Sequence, residues 1–418
     1  MSRTSRRFAM QRSAMDSISE IVKERPQRSG SKTTTSKVRN KIMANILILG
    51  GGFAGLVTAE RLAATLDKTE HQITLVAPNK NFTFYPALVH LAFGECEASD
   101  VTFALRTKLE TIGVRFIQGE FIRLDPQSRT VEIAGDDVSG EIAYDYVVLA
   151  MGRRLATEHT PGFFEHASHM LGVRAAERFG EKIKKFTAGT IVVGSCPDGR
   201  LPVPVCETAF AMARRFEKQM QAGTVRIKVI FPESLQSAFG GATLHKELES
   251  AFLSHGINVL YDVPISEITE GKILSSAGHE IDYDLLMLIP PFRGPGTLSY
   301  LGISDDHDFV KVDGHMYVHG LENAYAVGDI VAFSGPKLAH MAVRQADVAA
   351  ANIVAEIQGH APQEEYYHEI STVIDARGAD SIFLHYGIWD DDMYRLKKGY
   401  FWGPAKDFHD RLWQVRHA

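Results

Sequence analysis

The stretch 45–66, NILILGGGFAGLVTAERLAATL, constrains the fold more than any other part of the chain. Ile46, Leu47, Ile48 and Leu49 form a short continuous apolar run, which suits a parallel strand buried on both faces. Gly50, Gly52 and Gly55 follow in G-x-G-x-x-G spacing, and Leu56, Ala59, Leu62, Ala63 and Leu66 then recur at helical spacing. Strand, glycine turn and helix in that order predict a dinucleotide-binding unit. The first glycine allows a tight turn, the second lets the backbone approach a pyrophosphate, and the third lets helix and strand pack closely. The helix N-terminus offers unpaired N–H groups and the positive end of its dipole to the phosphates. Phe53 and Ala54 lie inside the same turn and belong to the expected binding surface.

A chain of 418 residues has room for two or three domains. With 45 Lys and Arg against 51 Asp and Glu, the net charge of -6 argues against a nucleic-acid partner. The three cysteines, Cys96, Cys196 and Cys206, are too few and too widely spaced for a disulfide framework or a zinc ribbon, and no metal site is expected. Reduced thiols, and so a cytoplasmic face, are the default. No apolar run reaches the roughly 18 residues of a bilayer span, so any membrane contact is expected to be peripheral. Residues 1–42 are rich in Arg, Ser, Thr and Lys and read as a disordered extension. Arg3, Arg6, Arg7 and Arg12 give them some character of a transit peptide, and the plainer alternative is an upstream start with Met43 the true beginning.

The second strand is expected at 72–76. A ribose-binding acid belongs at its end, where the chain instead has Ala77, Pro78 and Asn79. An Asn79 amide partly replaces that contact. Residues 81–95 are dense in Phe, Tyr and Pro, either as ordinary core or as a rigid wall beside a flat ring. A strand at 114–118 leads through a small meander to the apolar run 144–152, whose end at Ala150 and Gly152 suits a chain passing close to a cofactor. A second strand-turn-helix opens at 190–193, but Cys196 replaces the middle glycine between Gly194 and Gly199. Pro202 and Pro204 are expected to delay the next helix until about Glu207. The unit is therefore read as kept and its nucleotide site as lost. Strands at 226–231 and 258–261, a helix from about His245 and the run 285–291 complete it. A strand, turn and strand at 316–327 then end in Gly328 and Asp329, and a helix follows over 338–357. Beyond Pro362 stand all three tryptophans, Trp389, Trp402 and Trp413, interleaved with Arg395, Lys397, Lys398, Arg411 and Arg416. Rings beside basic residues suit a membrane surface, and equally a dimer interface or a hairpin packed on the body.

The predicted fold class is α/β, with two Rossmann-like dinucleotide-binding domains, the second inserted in the first, plus a C-terminal membrane-facing or interface segment. The expected boundaries are 43–155 with 300–362 for the first domain, 156–299 for the second and 363–418 for the tail.

Three motifs, GGGFAG at 50–55, LAMG at 149–152 and ENAYAVGD at 322–329, resemble those of the pyridine-nucleotide disulfide reductase superfamily. FTFYPAL at 82–88, Glu207 after a Pro-rich loop, Pro336-Lys337 and LHYGIW at 384–389 resemble sulfide:quinone oxidoreductases and type II NADH dehydrogenases more closely. The resemblance implies FAD as cofactor, with its pyrophosphate on the Gly50 to Gly55 turn. It places Asp329 on the ribityl chain and Pro86 and Lys337 near the isoalloxazine ring. A quinone would enter under the helix carrying His340, Arg344 and Gln345, and the enzyme would rest on a membrane surface. Cys196, Cys206, Lys337 and His340 are then the catalytic candidates. Cys196 and Cys206 act as a redox pair or as plain core, Lys337 as a cation for the reduced flavin, and His340 as a proton shuttle or a packed ring. The resemblance leaves the electron donor open. No cysteine follows Asp329, whereas a sulfide enzyme uses one there, and Cys196 breaks the turn an NADH enzyme needs. Sulfide or a related sulfur species is the preferred donor. NADH, with Glu233 on its ribose, is the alternative, and a non-catalytic FAD-bearing regulatory protein is the third reading.

Overall fold

The computed structural model describes residues 43–135, 138–390 and 392–418, and the expectations for 1–42 lie outside them. The first sheet is built from β1 (Ala44–Leu49), β2 (His71–Ala77), β3 (Arg115–Gln118), β4 (Tyr146–Leu149) and, far along the chain, the strand Ala324–Ala326. All neighbours pair in parallel. The inserted sheet comprises β5 (Gly189–Ser195), β6 (Val225–Ile230), β7 (Ile257–Leu260) and β8 (Leu285–Ile289), again parallel throughout. The strand Ala324–Ala326 is therefore β9, and the first sheet runs β9-β4-β1-β2-β3 while the second runs β7-β6-β5-β8. The α/β class and the insertion of one unit within the other are both present.

These orders follow from burial. A strand covered on both faces must be apolar, as β8 is throughout and β1 is from Ile46 to Leu49. Helix α1 (Phe53–Thr65) buries Leu56, Val57, Ala59 and Leu62 and packs on both the first sheet and a later helix. Helix α2 (Pro202–Arg215) covers β5 and β6. It begins five residues before the expected Glu207, because its prolines do not delay it. Pro202 occupies the first turn, where a missing N–H costs nothing and a fixed φ favours the helix. Helix α3 (Ala339–Ile357) packs along α1, and Arg61 and Asp347 join the two at 2.6 Å. The 316–327 stretch is less regular than expected. Only β9 is a strand, and isolated bridges such as Tyr317 to Tyr325 make the rest.

The tail forms an antiparallel sheet, β10 (Glu369–Ile374), β11 (Ile382–Gly387) and β12 (Tyr394–Lys398), followed by helix α4 (Trp402–His417). All three tryptophans pack within the chain. Trp389 meets Phe333, Tyr366 and His368, Trp402 stacks on Phe383 at 4.6 Å, and Trp413 meets Phe53, Phe82 and Phe84. A helix stripe stays in solvent, with Phe408 66 %, Leu412 54 % and Val415 81 % exposed. Among the described residues, no helix is long and apolar enough to cross a membrane.

Candidate functional site

The first sheet changes direction at β1. The chain moves from β1 outward through β2 and β3, then returns to the other side through β4 and β9. Such a switch point leaves a crevice at the carboxyl ends of the central strands. Three motifs far apart in sequence therefore meet there: the glycine turn after β1, Ala150 to Gly152 after β4, and Gly328-Asp329 after β9.

The glycines divide by what they face. Gly50 has φ +117°, and a Cβ on it would lie 2.2 Å from the Ala150 carbonyl oxygen. On Gly55 a Cβ would lie 1.9 Å from the Gly50 oxygen. Those two positions are closed by the protein's own backbone. A Cβ on Gly52 would meet nothing within 4 Å, and Gly52 is exposed at the N-cap of α1 with no side-chain cap. The first turn of α1 carries no acid to occupy its N–H groups. Ala54 closes the far side, 2.9 Å from where a Gly328 Cβ would stand. A cradle whose outer glycines are needed for backbone contact and whose middle glycine faces space fits a dinucleotide pyrophosphate.

Beyond the cradle, a narrow cleft is lined by Gly328, Asp329, Phe333, Pro336, Lys337 and Gln345, among others. Gln345 accepts the Gly328 N–H at 2.6 Å and so holds the Gly-Asp turn to α3. Asp329 is paired with Arg153, whose Nε is buried without a partner. Arg153 follows the 149–152 motif directly, and that adjacency was the signal available for it in the sequence. Lys337 is buried, donates to the Val331 carbonyl and lies 4.4 Å from the Phe309 ring centre. Burial, with the like charge of Arg200 second, pushes its pKa well below the ordinary lysine value. Pro86 is half-buried in the turn Tyr85–Ala87, and Asn79 is exposed just past β2.

The profile of the pyridine nucleotide-disulphide oxidoreductase family matches residues 44–346. The chain belongs to that family. Among curated relatives, a sulfide-quinone reductase of Aquifex aeolicus is 25 % identical over 81 % of this chain and 83 % of its own length. A type II NADH:quinone oxidoreductase of Staphylococcus aureus is 24 % identical over 82 % of this chain and 90 % of its own. Among solved structures, the sulfide:quinone oxidoreductase of Aquifex aeolicus superposes with a TM-score of 0.82 at 24 % identity, covering 89 % of this chain and 91 % of that one. The same family fold thus carries relatives with different donors, and the donor side needs its own geometry.

That geometry is in the second turn. The Cys196 N–H bonds the Ile289 carbonyl at 2.9 Å, Gly199 N–H bonds Cys196 at 3.0 Å, and Leu201 N–H bonds Gly199 at 2.9 Å. Ser195 Oγ also donates to the Gly199 carbonyl at 2.6 Å. Asp198 at the tip pairs with Arg293 at 2.9 Å. Three N–H groups of the turn, those of Cys196, Gly199 and Leu201, are therefore already bonded within the protein.

Cys196 and Cys206 do not come together as a pair. Cys196 packs with Val192, Ile230 and Phe163, and Cys206 with the main core around Phe210. Both are wholly buried. Burial pushes the Cys196 thiol up to about 12 and the Cys206 thiol well above its ordinary value. His340 is set against β10. Ser371 N–H donates to its Nε2 at 3.0 Å, and burial holds its pKa at about 4. Arg344, on the same helix, pairs with Glu369 at 3.0 Å. Glu207 is buried, accepts the Asp375 N–H at 2.9 Å and pairs with Lys406 of α4. Lys406 lies 199 residues away, and nothing in its local pattern pointed to that contact.

Proposed function

We propose that the protein is a FAD-dependent oxidoreductase that passes electrons from a small reductant to a membrane quinone, and that the reductant is sulfide or a related sulfur species. The observation that carries the donor assignment is the second turn, where Cys196 stands in place of a glycine and the Cys196, Gly199 and Leu201 N–H groups bond within the protein. A nicotinamide dinucleotide needs those groups for its pyrophosphate. Pro202 and Pro204 remove two further donors from the start of α2. The relatives named for sulfide and quinone support the same reading.

Bound FAD would supply the two-electron redox chemistry between the donor and the quinone. The chain's part is to bind and tune it. The Gly50 to Gly55 turn holds the pyrophosphate, with Phe53 and Ala54 on its wall. Gly152 and Gly328 let the backbone pass close to the cofactor. Asp329 takes ribityl hydroxyls, and Asn79 and Pro86 flank the two ends. Lys337 supplies a buried cation for negative charge on the reduced ring. A nearby anion favours the charged form of that lysine, reversing the downward push of burial. Sulfur chemistry does not pass through Cys196 or Cys206, because a thiol at about 12 or higher is not a thiolate at neutral pH. Helix α4 presents its apolar stripe to the membrane surface, and a second copy of the chain is the competing occupant.

Anaerobic mixing with sulfide or NADH, followed by loss of the flavin's visible absorbance, tests this. Sulfide is expected to bleach the flavin of the parent and of Cys196→Ser and Cys206→Ser alike. Loss of bleaching in either variant would return that thiol to the path. Bleaching by micromolar NADH (the usual KM range) and none by sulfide would install the NADH:quinone reading. Glu233 would then be the ribose ligand, since it stands just past β6 with its carboxylate held by Ser237. A flavin that neither donor bleaches would leave the non-catalytic reading.

A further inference from the structure

The loop 196–201 does more than close itself. It sends Arg200 out of the inserted unit and across to the segment 333–337, whose Phe333 and Lys337 line the cleft. Arg200 Nε donates to the Gly335 carbonyl at 2.7 Å, and a terminal nitrogen donates to the Phe333 carbonyl. The Lys337 N–H returns a bond to the Arg200 carbonyl at 2.9 Å. The guanidinium lies 5.6 Å from the centre of the Phe309 ring, the same ring that Lys337 Nζ faces. One side chain thus ties the loop to two carbonyls of the segment that walls the cleft. Only a planar fork spans two acceptors in this way, and a lysine offers a single point.

We propose that Arg200 is a specificity-determining gate. It shuts the donor side of the cleft against a flat nicotinamide ring and leaves it open to a small sulfur species. The proposal rests on the reading of the site as a FAD cleft with a sulfur donor. Hydride transfer from a nicotinamide requires the two rings to lie face to face with reacting atoms roughly 3–3.5 Å apart. The ring must therefore slide between the loop of the inserted unit and the 333–337 wall. The three bonds at Arg200 hold that seam closed at its rim. A hydrosulfide ion is a single heavy atom and needs no slot. It also meets positive charge from Arg200 on approach, which favours an anion over a neutral ring. The closed turn removes the anchor for the dinucleotide's phosphates, and Arg200 independently blocks the ring. A nicotinamide donor is therefore refused twice.

The two refusals separate with a donor that has the ring and lacks the phosphates. N-benzyl-1,4-dihydronicotinamide is such a probe, and dithionite serves as a reductant without a ring. Holoprotein of the parent, Arg200→Ala and Arg200→Lys is mixed anaerobically with each, and with sulfide and NADH. In Arg200→Ala the ratio of bleaching rates, benzyl-dihydronicotinamide over dithionite, is expected to rise by about tenfold or more, the scale on which positioning at a reacting centre acts. NADH is expected to stay slow, because the Cys196 side chain and the bonds of the second turn remain in place. Arg200→Lys is expected to fall between, since it keeps the charge and loses the fork. Amide hydrogen exchange, which needs no turnover, is expected to quicken at 196–204 and 331–338 and nowhere else. An unchanged ratio beside faster exchange would overturn the gate and leave Arg200 as a tie between the two units. Loss of flavin from both variants would also overturn it, by placing Arg200 in cofactor retention. A parent that sulfide fails to bleach would sink the sulfur reading, while the ratio would still decide the gate.

Discussion

Gly52 and Gly55 sit one turn apart and should answer a side chain in opposite ways. A Cβ on Gly55 would fall 1.9 Å from the Gly50 carbonyl oxygen, so Gly55→Ala must push helix and turn apart. Overpacking of that kind costs about 1–3 kcal/mol, and a lowered midpoint in urea is expected even without cofactor. Gly52 faces open space, so Gly52→Val should fold, with an apoprotein midpoint close to that of the parent. Its cost falls on the ligand, whose pyrophosphate needs the space. FAD should be lost from Gly52→Val on gel filtration. A yellow, fully loaded Gly52→Val protein would remove the pyrophosphate from this turn.

At the scale of elements, α2 and α4 both depart from what their composition implies. The prolines of α2 open the helix, because the first turn has no intrahelical use for the N–H groups that proline lacks. Helix α4 is two-sided. Its inner side sets Trp413 among Phe53, Phe82 and Phe84 at 4.7–5.3 Å and pairs His417 with Glu60 at 2.6 Å. Its outer side carries Phe408, Leu412 and Val415, which face solvent at the spacing of one stripe. Replacing these three with serine should leave thermal stability almost unchanged, since exposed positions away from special contacts usually stay within about 0.5 kcal/mol. Binding to anionic liposomes is expected to fall strongly, because buried apolar area drives interfacial helix binding. Full retention on liposomes, together with a shift from dimer to monomer, would assign the stripe to a second copy of the chain.

At the scale of the whole molecule, the C-terminal sheet is fastened to the body by groups that resist protonation. Burial holds His340 and His368 at about 4, against an ordinary value of 6.5. His340 is faced by Arg344, Glu369 and His385, and His368 by Ser334 and Tyr366. A histidine with a depressed pKa takes up its proton more readily when unfolded. Its contribution to stability is therefore whole above about 6.5 and drains away as pH falls toward about 4. Each ring can withdraw up to about 3 kcal/mol over that window. Glu369 is also buried, but hydrogen bonds from His385 and Arg344 outweigh burial and hold it at about 2, so its share is lost at still lower pH, from about 4.5 downward. The melting temperature should decline steadily between pH 6.5 and 4. Replacing His340 with glutamine should flatten that decline, and an identical slope in both proteins would count against the buried-histidine account.

The sequence by itself determined the first binding unit. Strand, glycine turn and helix are encoded within 22 consecutive residues, so local patterning and backbone sterics were enough to read them. Cys196 likewise marked the second turn as lacking its middle glycine, because a side chain at that position is a local fact. Tertiary structure decided what depends on distant partners. It buried Cys196 and Cys206 in separate packing clusters and paired Glu207 with Lys406. It also carried Arg200 across to Phe333 and Gly335. It set Trp402 and Trp413 against internal rings, left Trp389 half-exposed beside Phe333, and left Phe408, Leu412 and Val415 outside. Periodicity states which residues share a face of an element. Which faces meet is set by how two parallel sheets and a C-terminal sheet close over one another, and burial, pKa and donor access are all consequences of that closure.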